Sequence, residues 1–443
     1  MDQELSGAPT AICKLGHIDH GKSTTLGHLI YLLGGVDDRT MDKLTAEANE
    51  FKRPTWKWAY LFDSTDEERA GGITADIAFY PFSTKTLRRF MLVDAPGHRD
   101  FVKNAIKGAI LADACIFMVS VNPTDLKAGL KEGGSSDPGG QTREHAILGS
   151  VLGIPSVIVC INKMDMVGYS QEVYNDTITT VKKLLREIQS PWMKTLTEES
   201  FVPVSGYEGD NLVERSTNMP WYTGPTLAEA LDQLPNQQRK SATAGLRFLA
   251  FDSYDYPGVG NLLYGRVIQG VLRPNQEIVV LPSGETATVK DVLNVNLEDI
   301  PQLFSGEFGS TQVRGPERDR LVPGVLLSSS DSVLKQAKTI TARVLVLETA
   351  GRPLVPGSGI IIHVGLSHSA SIIERIVRVE REKKARKGQK VMLAFPGELV
   401  VLELRPDHPI MVEKYQDQPI LGRVVLRHSG QTVAVGLVTE ILT

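Results

Sequence analysis

Cysteine is scarce in this chain, with three in 443 residues. Cys13, Cys115 and Cys160 all lie in strand-like apolar stretches (AICKLG, ACIFMVSV, SVIVCIN). Odd in number and without metal-ligand spacing, they argue against a disulfide framework or a zinc site and for buried thiols. Long apolar runs are also missing, since none approaches the ~18 residues of a membrane span. The first residues, MDQELSGAPTAICKLGHIDH, lack the basic and then apolar blocks of a secretory signal. A cytoplasmic chain that does not engage a membrane is expected. Neither sign of charge prevails, because 48 Lys and Arg stand against 52 Asp and Glu for a formal net charge of -4. A nucleic-acid surface, if the chain has one, must be local. Internal repeats and low-complexity tracts are absent as well.

What is present reads as ordinary globular protein, 42% hydrophobic and 23% charged. At roughly 150 residues per domain the length predicts two or three domains. Up to about residue 236, TAICKLG, RRFMLVD, ACIFMVSV and SVIVCIN read as buried strands, and KSTTLGHLIYLLGG and TREHAILGSVLGI as helices. That alternation predicts an α/β domain with a mostly parallel sheet, whose ligands bind beyond the carboxyl ends of the strands. PNQQRKSATAG then reads as a linker. From Leu246 onward short β-rich segments are split by turn signals, as in EIVVL-PSGE-TATVKDV, TARVLVLE-TAGRP and KVMLAF-PGE-LVVLEL. Two all-β barrels fit this length, with SSSDSVLKQAK, residues 328–338, as the seam. The expected domains are 1–236, 243–330 and 339–443.

GHIDHGKS, residues 16–23, matches G-x-x-x-x-G-K-[ST] between a predicted strand and a predicted helix, the context of a P-loop. Backbone N–H groups of Gly16, His17, Ile18, Asp19, His20, Gly21, Lys22, Ser23 and Thr24 would curl around phosphate. Lys22 supplies a point charge to the terminal phosphates and the Ser23 hydroxyl a ligand to Mg2+. NKMD follows the strand SVIVCI and offers Asn162, Lys163 and Asp165. The Asp165 carboxylate can accept two parallel hydrogen bonds from guanine that adenine cannot supply, which selects GTP and GDP. In VPVSGYEGDNL the backbone of Ser205 and Gly206 is placed to touch the guanine edge. VDAPGHRDF puts Asp94 at a strand end, where a carboxylate holds magnesium through water, and Gly97 where its N–H reaches a γ-phosphate. Upstream, ERAGGITAD offers Thr74 for a loop that folds over the metal.

These stretches, with GGQTREHAIL, NMPWYTGPTLAEALDQL and the C-terminal MVEKYQDQPILGRVVLRHSGQTVAVGLVTEI, resemble the translational GTPases, specifically the elongation factor one-alpha family and its bacterial counterpart, elongation factor Tu. The resemblance is strong over residues 10–235, moderate over 339–443 and thin between. It implies a GTPase domain followed by two β-barrels, and a carrier of aminoacyl-tRNA to the ribosome, with a nucleotide-exchange factor as a possible further partner and the chain itself a monomer. It also implies that His98 handles the water that attacks the γ-phosphate.

Two other cargo readings stay open beside it. One is a termination or rescue GTPase carrying a tRNA-shaped release-factor-like protein, because the stretch GNLLYGRV departs from the family's pattern in the second domain. The other, more remote, is the GTPase subunit of a sulfate-activating enzyme. ERIVRVEREKKARKGQK, residues 374–390, carries eight Lys or Arg against three Glu. Its Lys383, Lys384, Arg386 and Lys387 are candidate contacts to tRNA phosphates. Lys14 stands in the first strand where the family usually has an apolar residue; it could snorkel to an edge, but a cost in core burial is expected.

Overall fold

The computed structural model describes residues 8–50, 54–62, 78–94, 108–131, 140–188, 190–236, 243–256, 260–334, 336–347, 350–380 and 392–442. The chain divides into two compact units, one spanning Thr10–Pro235 and the other containing Asn236–Thr443.

The first unit is built on a sheet of six strands: β1 (Thr10–Leu15), β2 (Ala78–Ser83), β3 (Arg89–Asp94), β4 (Ala114–Ser120), β5 (Ser156–Asn162) and β6 (Phe201–Pro203). Their order is β2-β3-β1-β4-β5-β6. β2 pairs antiparallel with β3, and the other neighbours are parallel. Every residue of β1, β4 and β5 is buried, as expected of parallel strands covered on both faces. β1 lies between β3 and β4, so the direction of strand addition reverses there and a crevice opens beyond its carboxyl end.

Helix α1 (Lys22–Leu32) packs Leu26, Leu29 and Ile30, at i, i+3 and i+4, against Ile12, Leu92 and Met118 of the sheet. The three cysteines are buried and free, with Cys13 directly opposite Cys115 across β1 and β4. The segment between α1 and β2 carries a helix not anticipated from the sequence, Asp38–Glu50. Its buried Met41, Leu44 and Ala48 pack on Trp58 and Tyr60.

The second unit contains two closed barrels of six strands each among the described residues. Arg247–Tyr256, Gly260–Gln269, Glu277–Leu281, Glu285–Leu293, Phe308–Arg314 and Leu326–Ser329 form one around Phe248, Leu263, Ile278, Val280 and Val289. Thr339–Val346, Gly359–Val364, Ser367–Glu380, Leu399–Pro406, Arg423–His428 and Gln431–Leu442 form the other around Ile340, Val344, Ile362, Leu402 and Leu426. The seam read at 328–338 starts too early, since Ser328 and Ser329 belong to the last strand of the first barrel, and it ends just before Thr339 opens the next. Of KVMLAF, Lys390 and Val391 lie outside the described residues, and the remaining four are a correction. Met392 and Leu393 are exposed and outside any strand, and only Ala394 makes an isolated bridge, to Leu354.

Candidate nucleotide-binding site

A cavity of about 490 Å³ opens beyond the carboxyl ends of β1 and β5. One wall is the loop joining β1 to α1. Gly16 has φ 137°, and a Cβ there would lie 2.4 Å from the Met118 carbonyl oxygen of β4, so the loop can leave the sheet at this point only through glycine. Gly21, at φ 79°, turns the chain into α1, with Lys22, Ser23 and Thr24 lining the cavity. The first N–H groups of a helix have no intrahelical partners, which makes this end a seat for anions. His17 accepts from the Asp19 amide at 3.3 Å, Ile18 donates to Gln141 Oε1 at 3.3 Å, and Lys22 Nζ donates to the His17 carbonyl at 2.7 Å. Burial, then the neighbouring Lys14, lowers Lys22 to about 7.

Two histidines fix this loop from behind. His20 places Nδ1 3.0 Å from the Met118 carbonyl and Nε2 3.2 Å from the Asp125 carbonyl. His145, on the helix Gln141–Val151, sets Nδ1 3.0 Å from the Gly16 amide. Burial pushes His20 down to about 4 and His145 down to about 3, so both are neutral at physiological pH. They position backbone and do no acid–base work there.

The facing wall comes from the end of β5. Asn162 Nδ2 donates to the His20 carbonyl at 2.9 Å and to Thr25 Oγ1 at 3.0 Å, while its Oδ1 accepts from the Gly206 amide at 2.9 Å. Its hydrogen bonds thus run to protein atoms and tie the phosphate-side loop to the Ser205–Gly206 turn. Lys163, at φ 68°, reaches Asp125 at 2.8 Å. Asp165 accepts from Ser205 Oγ at 2.6 Å and lines the cavity with Met166, Gly206 and Tyr207. Asn162, Lys163, Asp165, Ser205 and Gly206 are therefore brought together, although their two stretches lie about forty residues apart in sequence.

Lys14 requires a correction. It does not snorkel to an edge: its side chain is 1% exposed, its Nζ lies 2.6 Å from Asp94 Oδ1 and it donates to Ser23 Oγ at 2.7 Å. Register explains the meeting, since Cys13 pairs with Val93 and the next residues are Lys14 and Asp94. Ser23 and Asp94 are the residues expected to hold magnesium. As arranged, their oxygens are bridged by an ammonium, and this donor pair does not fit a divalent ion.

Thr74, Gly97 and His98 lie outside the described residues, as do Lys383, Lys384, Arg386 and Lys387. In the described part of the basic stretch the arginines have acidic partners: Arg378 lies 3.1 Å from Glu380, and Arg375 pairs with Glu403. Sequence reasoning missed His28, Asp125, Gln141, His145 and Trp58. His28 Nδ1 sits 3.0 Å from the Gly206 carbonyl, and its ring stacks on Trp58 at 3.9 Å. A signal existed for two of them: Gln141 and His145 share the buried face of a helix, where unpaired polar groups are costly.

A glycine loop between β1 and α1, facing an Asn-Lys-x-Asp wall on the same edge of a parallel sheet, defines a P-loop guanine-nucleotide-binding domain, here joined to two β-barrels. Residues 10–237 match the family described as "Elongation factor Tu GTP binding domain", and residues 339–439 match "GTP-eEF1A C-terminal domain-like". Proteins named "Elongation factor 1-alpha" are similar along nearly their whole length. That of Ignicoccus hospitalis is 38% identical over 434 residues, 96% of this chain and 95% of the relative. That of Methanocaldococcus jannaschii is 36% identical over 435 residues, 96% of each. Among solved structures, the S. cerevisiae Ski7 GTPase-like domain bound to GTP has the same fold, with a TM-score of 0.78 at 17% identity over 99% of this chain and 98% of that one. The chain belongs to the elongation factor 1-alpha family of translational GTPases. Its enzyme class is accordingly GTP phosphohydrolase, and its ligand a guanine nucleotide.

Proposed function

We propose that the chain carries aminoacyl-tRNA to the ribosome and releases it when GTP is hydrolysed. One observation carries the nucleotide half of this reading: Asp165, held by Ser205, shares a cavity with the glycine loop and Lys22. The cargo half is supported by full-length similarity to relatives named elongation factor 1-alpha.

In this proposal residues 16–24 receive the phosphates, Asp165 pairs with the guanine edge, and the Ser205–Gly206 backbone flanks the base. Gly97 senses the γ-phosphate, Thr74 closes over it, and His98 orients the attacking water. The imidazole's ordinary pKa near 6.5 leaves it able to accept a hydrogen bond at neutral pH. Lys383, Lys384, Arg386 and Lys387 meet tRNA phosphates. Working parts at 1–236, 243–330 and 339–443, a cytoplasmic location, a monomeric state and reloading by an exchange factor complete the reading. Among the described residues no helix is long and apolar enough to cross a membrane. Magnesium on Ser23, Thr74 and Asp94 is not part of it, because Lys14 fills the position between Ser23 and Asp94.

The test is capture of cellular partners on the chain loaded with a non-hydrolysable GTP analogue, followed by RNA sequencing with an assay of aminoacylation. Enrichment of aminoacylated tRNA over the GDP-loaded control is expected. Recovery of a release-factor-like protein in its place overturns the cargo.

A further inference from the structure

Lys14 lies in the innermost strand of the sheet, with β3 on one side and β4 on the other. Its stem therefore runs through apolar surroundings and its ammonium emerges where β1 ends. Three groups meet it there: Asp94 Oδ1 at 2.6 Å, Ser23 Oγ at 2.7 Å and the face of the Phe62 ring, whose centre is 4.9 Å away. Phe62 is itself 1% exposed, and the Lys14 side chain is 1% exposed among the described residues.

Stability alone does not account for this arrangement. A buried ion pair is commonly no more stabilising than a well-packed apolar pair of the same volume, whereas a buried carboxylate left without its cation is strongly destabilising. Asp94 thus needs a positive charge at this place, and the chain supplies one covalently. A magnesium ion would need oxygen ligands at about 2.0–2.1 Å in near-octahedral geometry. It would have to displace the ammonium from both Ser23 and Asp94, or sit against it at a cost in like-charge repulsion.

We propose that Lys14 is a tethered monovalent cation standing in place of magnesium toward Ser23 and Asp94, so that this chain binds guanosine diphosphate without a divalent ion. Ser23 Oγ accepts from the ammonium with one lone pair, which leaves its own proton to be donated toward a phosphate oxygen. Lys14 then stands beside Lys22 on the phosphate side of the cavity, and its charge is one of the causes that lower Lys22. The inference rests on the guanine-nucleotide reading of the cavity.

The test is equilibrium binding of N-methylanthraniloyl-GDP to the full chain in millimolar magnesium and in excess EDTA. The wild-type affinity is expected to differ between the two buffers by less than about tenfold. Lys14→Met is expected to bind about tenfold to a hundredfold more weakly than wild type in EDTA and to be rescued by magnesium, because the charge-assisted contacts are lost and the position is open to the ion. A wild-type loss of about tenfold or more in EDTA overturns the proposal. So does a folded Lys14→Met chain that binds as wild type does in EDTA. The wild-type comparison decides the matter without the variant if Lys14→Met does not fold. Absence of GDP binding in both buffers overturns the nucleotide reading itself, an outcome distinct from a magnesium requirement.

Discussion

At the scale of single residues, the site is held by side chains whose hydrogen bonds go to the protein's own backbone. Asn162 is buried and makes two such bonds, to the His20 carbonyl and the Gly206 amide, and a third to the Thr25 hydroxyl of α1. Asn162→Ala leaves the Gly206 amide and the His20 carbonyl without these partners, and each unpaired buried group costs about 1–3 kcal/mol. We expect a loss of roughly 3 kcal/mol in urea denaturation, together with weaker GDP binding. Full retention of both would show that the two loops are fixed by something else.

His145 makes a prediction of the same scale in pH. Its folded pKa, about 3, lies below its ordinary value of 6.5, so on acidification the unfolded chain takes the proton first. Stability from this group is complete above 6.5 and is lost progressively down to about 3. His145→Gln keeps an acceptor for the Gly16 amide and cannot titrate. Its stability should fall less steeply with acid than that of wild type, by at most about 1.4 kcal/mol per pH unit. Parallel denaturation curves for the two proteins from neutral pH to roughly pH 4 would refute the assignment.

At the scale of elements, the strands and the loop between β1 and α1 were legible because each is specified locally. Buried parallel strands are short apolar runs, and the glycines mark positions where a Cβ cannot fit. Asp165 and Ser205 were also legible, each following its own strand, but the contact between them was not, because it depends on β5 and β6 being neighbours. The Asp38–Glu50 helix escaped notice because its apolar positions, Met41, Leu44 and Ala48, are few and find their partner in the later Trp58. KVMLAF misled for the opposite reason. Its apolar residues satisfy the strand pattern, yet Met392, Leu393 and Phe395 remain exposed. Lys14 was misread because sequence pattern reports a strand's burial but not that β3 delivers a carboxylate at the matching height.

Gly27 tests how closely α1 and the Trp58 segment must approach. A Cβ at Gly27 would stand 2.0 Å from the Trp58 carbonyl oxygen, a backbone atom that has no flexible end to move. Gly27→Ala should therefore destabilise the protein, although the same change in a free helix is worth roughly 1 kcal/mol in the opposite direction. Because Trp58 stacks on His28 and His28 meets Gly206, GDP affinity should fall with it. A thermal midpoint at or above that of wild type would show that the segment yields.

At the scale of the whole molecule, nucleotide binding and barrel integrity belong to different units. Every described residue lining the cavity lies within Thr10–Pro235, while the barrels are joined to each other within the second unit. That junction is polar. Arg247 of the first barrel donates to the Ser332 carbonyl at 2.6 Å and to Ser328 Oγ at 2.9 Å, and its guanidinium lies 3.4 Å from Glu413 beyond the seam. Gln418 Nε2 adds a bond to the Ile268 carbonyl at 3.0 Å. Arg247 is 4% exposed and the Glu413 side chain 19% exposed, so Arg247→Met removes a buried cation and its bonds to Ser328 and Ser332 from beside a partly buried Glu413. Loss of a hydrogen bond to a charged group costs about 1.5–3 kcal/mol. Calorimetry should show the melting of the barrels shifted to lower temperature, while GDP affinity at 25 °C and the unfolding of the nucleotide unit stay as in wild type. A matching fall in GDP affinity would mean that the barrels contribute to the cavity's stability.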